Sequence, residues 1–591
     1  MSRDPSWDKE LSRKLYGLEN GVRGEFFDIS DEGELVVRFN DHVISIPRLM
    51  RDLGLDNAYV RFLPLIGKML SRVVRAFREA AERHGYAGAF APVYPLKVTA
   101  NDLVLREIAR FGEGARWGFE VGTLGELEAL AKTFDGEDGG DRLLVVDGFK
   151  GAREIELMHK MRSNGWHVVA SVEGESDLKL LADDDMPLAI RLKPMGHAVS
   201  RWSGSGGLSS KFGLTLNGLE RLAKDYPWIR DRAVMLHMHA GSQISDARSL
   251  RKYFREASRT FAGLVELGYS SLSYIDLGGG LAYPYLDTRD GSEDSPNYTV
   301  EDYFDMAIEE LRSAGISPAL VFEGGRYIVA AHRLVVAKVL EVRPFDAEAG
   351  PEPASSKLAE ALDLRVRSLE ELEAKAREAK HVIGKLEEKP NWSARDRMII
   401  EDLRHYLVQW VVEEFGRLYE DDPRALEEVI KYPSVCKLLV SPSKRFVLSM
   451  SVFADVPDRA LVHQYFQVVP AQRLNERPEV LATLSDITCD SMGEIREFYA
   501  KLDDSRVSPF TALDRRLMFI PGMKVRLYGT PLHMPRPLED YYVVFLDSGA
   551  YQDMLTMRHN LVGDAPEVII YEEGGELRVA CRGCNKKGYV A

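Results

Sequence analysis

The sequence has 591 residues, of which 45% are hydrophobic, and carries a formal net charge of -15 at pH 7. A chain of this length exceeds a single-core domain and predicts at least two domains with large packed cores. The negative charge is spread along the chain without a basic tail or lysine-rich patch, which argues against a nucleic-acid partner. No apolar run approaches the ~18 residues of a membrane span, and the first residues lack the apolar stretch of a signal peptide, so no membrane association is expected.

The four cysteines are too few for a disulfide framework in a chain this long. We therefore expect reduced thiols and a cytoplasmic protein. Cys581 and Cys584 have the spacing of a redox or metal pair, but the sequence places no two further zinc ligands. An exposed tail is the expected context of this pair, and no metal site is predicted.

Two strand-like pieces, at 24–29 and 34–39, lie in an N-terminal segment, residues 1–65, that we expect to pair with a later β-domain. From about residue 70 to 345, segments rich in Val, Ile and Leu alternate with stretches of helical period, as successive βα units would. The eight predicted strands are 93–98, 118–122, 143–148, 167–172, 188–192, 234–240, 274–280 and 319–325.

Eight parallel strands with crossover helices predict a TIM barrel, assigned to residues 66–348, with its active site where the strands end. An open doubly wound sheet explains the alternation but not the count of eight. Residues 352–431 are charged helices with a narrow apolar stripe, which predicts a helical insertion. From 432 to 591 the runs become short and β-like, at 445–452, 466–469, 541–546 and 567–571, which predicts a C-terminal β-domain.

Lys97 closes the first predicted barrel strand. A lysine in a barrel mouth is expected to be desolvated, so that its neutral amine could form a Schiff base with an aldehyde. A lysine near a strand end is usually a solvated charge, and Lys97 alone would mean little.

The sixth and seventh predicted strands end in residues that suggest an anion pocket. Gly278, Gly279 and Gly280 allow backbone N–H groups to approach a phosphate, and the Ser242 hydroxyl adds a donor. Three glycines alone would more often mark a flexible turn. His239 is either a satisfied core histidine or a flat ring against an aromatic cofactor, and its position at a strand end favours the second.

Glu323 ends the eighth strand, before two glycines. A carboxylate that accepts a hydrogen bond from a pyridine nitrogen keeps that nitrogen protonated and makes the ring an electron sink. A glutamate in this position is more often a turn acid, so only the combination with Lys97, His239 and the glycines is persuasive.

These residues, in this order on strands one, six, seven and eight, resemble the fold-type III pyridoxal-phosphate decarboxylases, whose fold is an alanine racemase-like TIM barrel plus a β-domain. Residues 119–127 are similar to the family's second-strand motif, with Glu120 and Glu126 at its acidic positions, and Arg191 matches the arginine that closes strand five. The resemblance implies that the cofactor is bound by a set of residues comprising Lys97, Glu120, Arg191, His239, Ser242, Gly278, Gly279, Gly280, Glu323, Gly325, Arg326 and Tyr551.

The C-terminal motifs 488–491 and 548–551 extend the resemblance. It implies that Cys489 returns a proton to the substrate Cα, that Tyr551 contacts the cofactor phosphate, and that both reach the barrel of a partner subunit in at least a homodimer. It also implies Lys97, Cys489 and His239 as catalytic residues, Mg²⁺ as an optional second cofactor, and substrate contacts from Asp490, Asp276 and Tyr285.

Within this group the chain resembles the arginine decarboxylases. The resemblance is carried by the helical insertion, by the 196–214 segment with Ser205, Gly206 and Gly207, and by motifs at 470–474, 549–552 and 559–561. The implied reaction is decarboxylation of L-arginine to agmatine in polyamine biosynthesis. Met492 departs from the family pattern, which has an acid there near the substrate's cationic end. Two alternatives stay open: decarboxylation of ornithine, lysine or another diamino acid, and a catalytically silent cofactor-binding regulator.

Overall fold

The computed structural model describes residues 7–19, 21–196, 207–349, 365–499, 517 and 526–584, with backbone only at 526–527. Ser205 and Gly206 of the long segment and residues 352–364 of the predicted insertion lie outside the described residues. Within the described ranges, no helix combines the length and the apolar character needed to cross a bilayer.

The N-terminal region contains helices Lys9–Leu15, Arg23–Phe26 and Ile46–Leu53 and strands β1 (Phe27–Ile29), β2 (Leu35–Phe39), β3 (His42–Ser45) and β4 (Asn57–Phe62). Strands β1 to β3 form an antiparallel sheet of their own. It includes most of the predicted piece at 34–39 but only residues 27–29 of the piece at 24–29, because 24–26 are helical. Strand β4 leaves this sheet and joins the large C-terminal sheet, so the N-terminal strand that pairs there lies at 57–62.

Eight parallel strands follow: β5 (Val93–Pro95), β6 (Gly118–Val121), β7 (Leu143–Val146), β8 (His167–Val172), β9 (Leu188–Leu192), β10 (Ala233–Met238), β11 (Tyr274–Asp276) and β12 (Ala319–Val321). They pair in sequence order from β5 to β12. The last strand also meets the first, because the Ala91 N–H donates to the Leu320 carbonyl at 2.9 Å and the Val93 N–H to the Phe322 carbonyl at 3.0 Å. The predicted TIM barrel is confirmed, since an open sheet would leave its first and last strands apart.

Helices surround the barrel. They are Pro64–His84, Asp102–Arg110, Leu124–Thr133, Ala152–Ser163, Glu175–Leu180, Leu216–Asp225, Ile229–Arg232, Ala247–Glu266, Val300–Ser313 and Gly325–Val329. Local sequence sets their ends: helix Val300–Ser313 begins with a capping box in which Thr299 and Asp302 each accept the other's backbone N–H. Helix Pro64–His84 ends at Gly85, which adopts the left-handed conformation typical of a helix C-terminus.

The C-terminal β-domain begins directly after the barrel with the long strand β13 (Arg333–Pro344). Its other strands are β14 (Lys444–Leu448), β15 (Val468–Pro470), β16 (Val480–Ser485), β17 (Glu494–Ile495), β18 (Phe498–Tyr499), β19 (Arg526–Leu527), β20 (Thr530–Leu532), β21 (Tyr542–Phe545), β22 (Glu567–Glu573) and β23 (Glu576–Arg582), with helices Val452–Asp455 and Pro457–Val462. Strand β13 pairs with β4, β14 and β21, so it is central to the ten-stranded sheet. The barrel and this sheet share one hydrophobic core.

The helical insertion comprises Leu369–Glu387, Ala394–Asp421, Ala425–Glu428 and Pro433–Leu439. The two long helices pack against each other, and their apolar stripes form a second hydrophobic cluster separate from the main core. Leu372, Val411 and Phe415 are fully buried in this cluster. The insertion is therefore a small helical unit with a core of its own.

The cysteines differ from expectation at one place. Cys581, at the end of β23, and Cys584 are joined as a disulfide, with their Cα atoms 5.8 Å apart. The expectation of reduced thiols is therefore wrong for this pair. Cys436 and Cys489 carry free thiols, the first buried and the second exposed.

Candidate active site

One charged side chain from each barrel strand faces the centre of the barrel near its carboxyl end. Side chains two residues apart on a strand face the same side. Val145 and Ala189 lie in the apolar interior, and Asp147 and Arg191 follow them by two residues, so these charges face inward as well. In the order of β5 to β12, the set is Lys97, Glu120, Asp147, Glu173, Arg191, His237, Asp276 and Glu323. We refer to these eight residues as the charged ring.

Lys97 lies between two carboxylates of the charged ring. Its Nζ is 3.0 Å from Glu120 Oε2 and 3.5 Å from Glu323 Oε2. The lysine side chain is 40% exposed, whereas those of Glu120 and Glu323 are 2% and 1% exposed. The amine is therefore the accessible member of the cluster, at the mouth of the barrel.

The charge of Lys97 differs from the prediction. Enclosure in the barrel mouth lowers the pKa of Lys97, but Glu120, Glu323 and Asp147 outweigh it and raise that pKa well above its ordinary value. The expectation of a neutral, desolvated amine is wrong for the cofactor-free protein, because the carboxylates brought in by neighbouring strands exceed the desolvation effect.

Acids outnumber bases in the charged ring, with five carboxyl groups against Lys97, Arg191 and His237. Burial raises the pKa of Glu120 to about 8, and the nearby Glu323 and Asp147 add to this effect while Lys97 opposes it. Burial likewise raises the pKa of Glu323 to about 6 and that of Asp276 above its usual range. Such a cluster favours an additional cation, and a protonated pyridine nitrogen is one.

Arg191 is paired on the far side of the ring from Lys97. Its guanidinium Nη1 lies 2.6 Å from Asp147 Oδ2 and 2.9 Å from Glu173 Oε1. Although burial acts in the opposite direction, Arg191 and His237 hold the pKa of Asp147 well below its usual range. Asp147 is thus an ionised member of the ring at neutral pH.

Three members of the ring were not predicted from the sequence: Asp147, Glu173 and His237. The first two follow strands β7 and β8 and precede Gly148 and Gly174, the same acid-glycine pattern that singles out Glu323. That pattern could have found them. His237 has no such signal, because a histidine within a strand is read as core unless its neighbours across the barrel are known.

His239 lies against the glycine turn that follows β11. The Gly279 N–H donates to His239 Nδ1 at 3.2 Å. Burial, with the positive charges of Lys97 and Arg191, lowers the pKa of His239 well below its ordinary value, so the ring is neutral. Gly278 has φ 65°, and a β-carbon there would overlap His239 Nδ1. The turn therefore needs glycine both for its backbone conformation and for the close approach of the imidazole.

The loops after β10 and β11 are joined beside this turn, because the Ile244 N–H donates to the Gly280 carbonyl at 3.0 Å. Ser242 lies partly buried in the first of these loops. The structure thus brings the predicted serine and glycines to one end of the barrel.

The eighth strand leads into a second cluster, around Gly325 and Arg326. A β-carbon on Gly325 would lie 2.7 Å from Val98 Cγ2, so this loop packs closely on the loop of Lys97. Arg326 is buried, donates to the Tyr285 hydroxyl at 3.2 Å, and has its guanidinium 4.5 Å from the centre of the Tyr551 ring. An arginine and a tyrosine therefore meet directly beside the lysine loop.

Tyr551 reaches the barrel of its own chain. Its backbone N–H donates to the Val98 carbonyl at 2.8 Å, next to Lys97. The preceding residues hold it there, because Ser548 and Gly549 donate to the carbonyls of Arg333 and Ala330 at 3.0 and 2.9 Å. The expectation that this tyrosine reaches a partner's barrel is wrong. The hydrogen bonds to Ala330 and Arg333, which follow the last barrel strand, hold the loop against the barrel of the same chain.

Cys489 and Asp490 lie elsewhere. The Cys489 N–H donates to Asn560 Oδ1 at 3.1 Å, and Asp490 Oδ1 accepts the Met492 N–H at 2.9 Å. These contacts are all within the C-terminal region, and Cys489 is exposed. The structure of one chain does not place them beside Lys97, so their catalytic and substrate roles remain predictions.

The remaining predicted residues are accounted for by local contacts. Asp276 is fully buried in the ring, and its Oδ1 accepts the Gly278 N–H at 2.8 Å. Tyr285 is also fully buried, behind Arg326. Glu126 accepts the Gly122 N–H at 2.6 Å and so supports the turn after β6. Substrate contacts by Asp276 and Tyr285 stay predictions.

One group of side chains in the ring has the spacing of metal ligands. One nitrogen each of His237 and His239 and an oxygen of Glu323 lie within 4.8 Å of one another. Asp147 and Asp276 outweigh the effect of burial and raise the pKa of His237 to about 9. A protonated imidazole has no lone pair to offer a metal.

Known proteins share this architecture. The family described as "Pyridoxal-dependent decarboxylase, pyridoxal binding domain" matches residues 70–330, which cover the barrel. The biosynthetic arginine decarboxylase of Campylobacter jejuni superposes with a TM-score of 0.72 at 24% identity, over 96% of this chain and 89% of that one. A diaminopimelate decarboxylase of M. jannaschii, solved with L-lysine, has a TM-score of 0.59 at 16% identity, over 94% of each chain. A lysine-bearing barrel joined to a β-domain thus defines the class of pyridoxal-dependent decarboxylases.

Similarity in sequence identifies the family within this class. The biosynthetic arginine decarboxylases of Bacteroides thetaiotaomicron and Xanthomonas campestris pv. campestris are each 30% identical to this chain. The matches cover 96% and 97% of this chain and 89% and 90% of theirs. The chain therefore belongs to the biosynthetic arginine decarboxylase family, as the sequence motifs predicted.

Proposed function

We propose that this protein decarboxylates L-arginine to agmatine and carbon dioxide, with pyridoxal 5'-phosphate as its cofactor, as a step of polyamine biosynthesis. The observation that carries the proposal is the position of Lys97 at the barrel mouth, 3.0 Å from Glu120 and 3.5 Å from Glu323, in a chain that belongs to this family.

The residues present fit the cofactor. The charged ring has more acids than bases, and Glu323 Oε2 lies 3.5 Å from Lys97 Nζ and 3.9 Å from His239 Nδ1, beside the accessible amine. Glu323 would accept the N–H of the cofactor's ring nitrogen, and the neutral imidazole of His239 would lie against the ring face. Glu120 and Arg191 frame the same space from strands β6 and β9. When bound, the cofactor supplies an electron sink for the electron pair that remains on Cα as carbon dioxide leaves.

The cofactor phosphate would be held at the far end of the pocket. The backbone N–H group of Gly280 and the Ser242 hydroxyl would be donors on one side, whereas the Gly279 N–H donates to His239. Arg326 and Tyr551 face it from the other, and Gly325 allows their loop to approach the lysine loop. An arginine beside glycine-rich backbone is a common phosphate-binding arrangement.

Glu120 has the chemistry to take a proton from Lys97. Lys97 donates a hydrogen bond of 3.0 Å to Glu120, and the raised pKa of Glu120, about 8, makes its ionised form a stronger base than an ordinary carboxylate. Lys97 must give up its extra proton before its nitrogen can attack an aldehyde carbon. We propose that Glu120 accepts it.

Cys489 would return a proton to Cα from a partner subunit. Exposed apolar side chains in two regions, named here the cysteine patch and the rim patch, would suit a dimer of this kind. The cysteine patch surrounds Cys489 and contains Ile487, Met492 and Leu561. The rim patch follows strands β7 and β9 and contains Phe149, Met195 and Leu208.

In a dimer with two-fold symmetry, the cysteine patch of each chain can cover the rim patch of the other. Such an arrangement would bury both apolar surfaces and bring an exposed thiol to the mouth of the partner's barrel. The thiol must stay reduced to carry a proton, which suits the cytoplasmic location that we propose; cell fractionation tests that location.

Product analysis tests the proposed reaction. Purified protein loaded with cofactor is incubated with arginine, ornithine and lysine, and the amines are identified by mass spectrometry. Agmatine as the main product is expected. Putrescine or cadaverine would move the substrate to another basic amino acid, a result that Met492 in place of the family's acid would favour. Absence of any amine would overturn the proposal.

Borohydride reduction tests the cofactor site. Reduction should remove the cofactor's visible absorption and attach the cofactor covalently to the peptide that contains Lys97, whereas Lys97→Ala should show neither effect. A label on another lysine would overturn the assignment. Dialysis against a chelator tests Mg²⁺, which the family resemblance alone suggests: a loss of activity restored by Mg²⁺ would add it as a second cofactor.

A further inference from the structure

His237 connects the two sides of the charged ring. The side chain is fully buried at the level of Arg191 and Asp276, its register partners on β9 and β11. Its Nδ1 lies 3.1 Å from Asp147 Oδ1 and its Nε2 lies 3.4 Å from Glu323 Oε1. Each ring nitrogen therefore faces a carboxylate, at ion-pair distance but without the alignment of a hydrogen bond.

The two carboxylates around His237 favour a protonated, positively charged imidazole. A neutral histidine has one nitrogen that accepts and would repel one of the two carboxylates, whereas the protonated ring offers a donor to both. The raised pKa of His237, about 9, agrees with this geometry. The titratable groups that face His237 or lie nearest to it in the ring are Asp147, Arg191, His239, Asp276, Glu323 and, beyond Glu323, Lys97.

The two oxygens of Glu323 have different surroundings. Oε1 lies toward His237, at 3.4 Å, whereas Oε2 lies toward Lys97 at 3.5 Å and His239 at 3.9 Å. Lys97 and His239 border the space in which the cofactor ring would lie. Oε2 is thus the oxygen available to a ring nitrogen, and Oε1 is the one that the protein itself retains.

We propose that His237 is a positioning residue: its imidazolium holds Oε1 of Glu323, keeps this carboxylate ionised, and so presents Oε2 to the cofactor's ring nitrogen. The inference rests on the proposed function only for the presence of the cofactor. Asp147, held in turn by Arg191, anchors the other edge of the imidazole. Glu323 buried without this cation would be more basic and would draw the shared proton away from the ring nitrogen.

Two spectroscopic measurements test this role directly. In the cofactor-free protein, selective ¹⁵N labelling of histidine should show both nitrogens of His237 still protonated at pH 8, with the signal assigned by its loss in His237→Gln. In the holoenzyme, ¹⁵N-labelled cofactor followed by solid-state NMR should show a protonated ring nitrogen. In His237→Gln this resonance should move toward the value of a neutral pyridine.

Two substitutions test the two nitrogens of the imidazole separately. His237→Gln places an uncharged amide near the position of Nε2, so a donor toward Glu323 remains, whereas His237→Asn places one near Nδ1, toward Asp147. We expect kcat to fall about 10- to 100-fold in His237→Gln and further in His237→Asn, with KM changed less than about 2-fold. The matched control is His533→Gln, which alters a fully buried histidine of the β-domain that contacts Tyr541 and the Glu476 carbonyl.

The outcomes separate this inference from the proposed function. If the wild-type enzyme forms agmatine and His237→Gln leaves both the ring-nitrogen signal and kcat unchanged, the inference fails and the function stands. If His533→Gln shifts the ring-nitrogen signal equally, the effect is general destabilisation and the inference fails. If the wild-type protein binds cofactor without decarboxylating arginine, the proposed function fails while the ring-nitrogen signal still decides the role of His237. A protein that binds no cofactor would overturn both.

Discussion

The carboxyl group of Glu120 should make the cofactor-free protein less stable as the pH rises. The Glu120 side chain is 2% exposed, and burial raises its pKa from 4.5 to about 8. Between these two values the unfolded chain has lost this proton while the folded chain retains it. The contribution of Glu120 to stability therefore falls with pH across this window and levels off above pH 8. Substitution by glutamine removes the titrating group and keeps the shape.

The magnitude follows from the size of the shift. One pH unit corresponds to about 1.4 kcal/mol for one proton, so the free energy of unfolding should decline by up to about 5 kcal/mol between pH 4.5 and pH 8 on account of Glu120. Glu323 adds a smaller decline of the same sign between pH 4.5 and about 6. His237, whose pKa rises from 6.5 to about 9, adds a further decline of the same sign between these values. The part of the slope between pH 6 and 8 that Glu120→Gln removes is the part that belongs to Glu120.

Urea unfolding of the cofactor-free protein at several pH values measures this slope. Wild type should lose stability between pH 6 and 8 relative to Glu120→Gln, and the two curves should run parallel above pH 8. The control is Glu128→Gln, which alters an acid about half exposed on the following helix and should keep the wild-type slope. Equal slopes for wild type and Glu120→Gln would refute the raised pKa assigned to Glu120.

Three further predictions concern the site. A 1:1 mixture of Lys97→Ala and Cys489→Ala subunits should regain up to about a quarter of wild-type activity. Random subunit exchange makes about half of the dimers mixed, and each mixed dimer has one intact site of two. No recovery of activity despite proven exchange would contradict shared sites. Gly278→Ala should weaken cofactor binding at least about 10-fold in a fluorescence titration, since the left-handed backbone and His239 both oppose a β-carbon; unchanged affinity would remove the turn from the site. Met492→Asp should raise kcat/KM for arginine relative to ornithine by about 10-fold if this position faces the guanidinium, and an unchanged ratio would place specificity elsewhere.

Much of the fold was predictable because the relevant signals are local. Each barrel strand is an apolar run of a few residues, and each is followed by residues whose chemistry stands out, such as Lys97 or Glu323. All eight predicted strands overlap the observed ones, and only their ends differ. The glycine turn at 278–280 was likewise visible in the sequence, although three glycines gain their meaning only beside Lys97, His239 and Glu323.

The charge state of the site was not predictable in the same way. The pKa of Lys97 depends on Glu120, Glu323 and Asp147, which come from three other strands. Desolvation alone predicted a neutral amine, and the pairwise attractions that reverse this effect exist only after the barrel closes. The position of Tyr551 beside the barrel of its own chain has a similar origin. The hydrogen bonds of Ser548 and Gly549 to residues at the end of the barrel fix its loop there.

The sequence by itself determined the order of strands and helices, the family, and the residues that carry reactive groups, because periodicity and motif spacing are properties of the linear chain. Only the tertiary structure decided how those groups act on one another. Barrel closure places eight charged side chains from eight strands in one ring, and the electrostatic energy of that ring depends on distances of 3 to 4 Å between residues far apart in the chain. His237 owes its charge and its proposed role entirely to that arrangement.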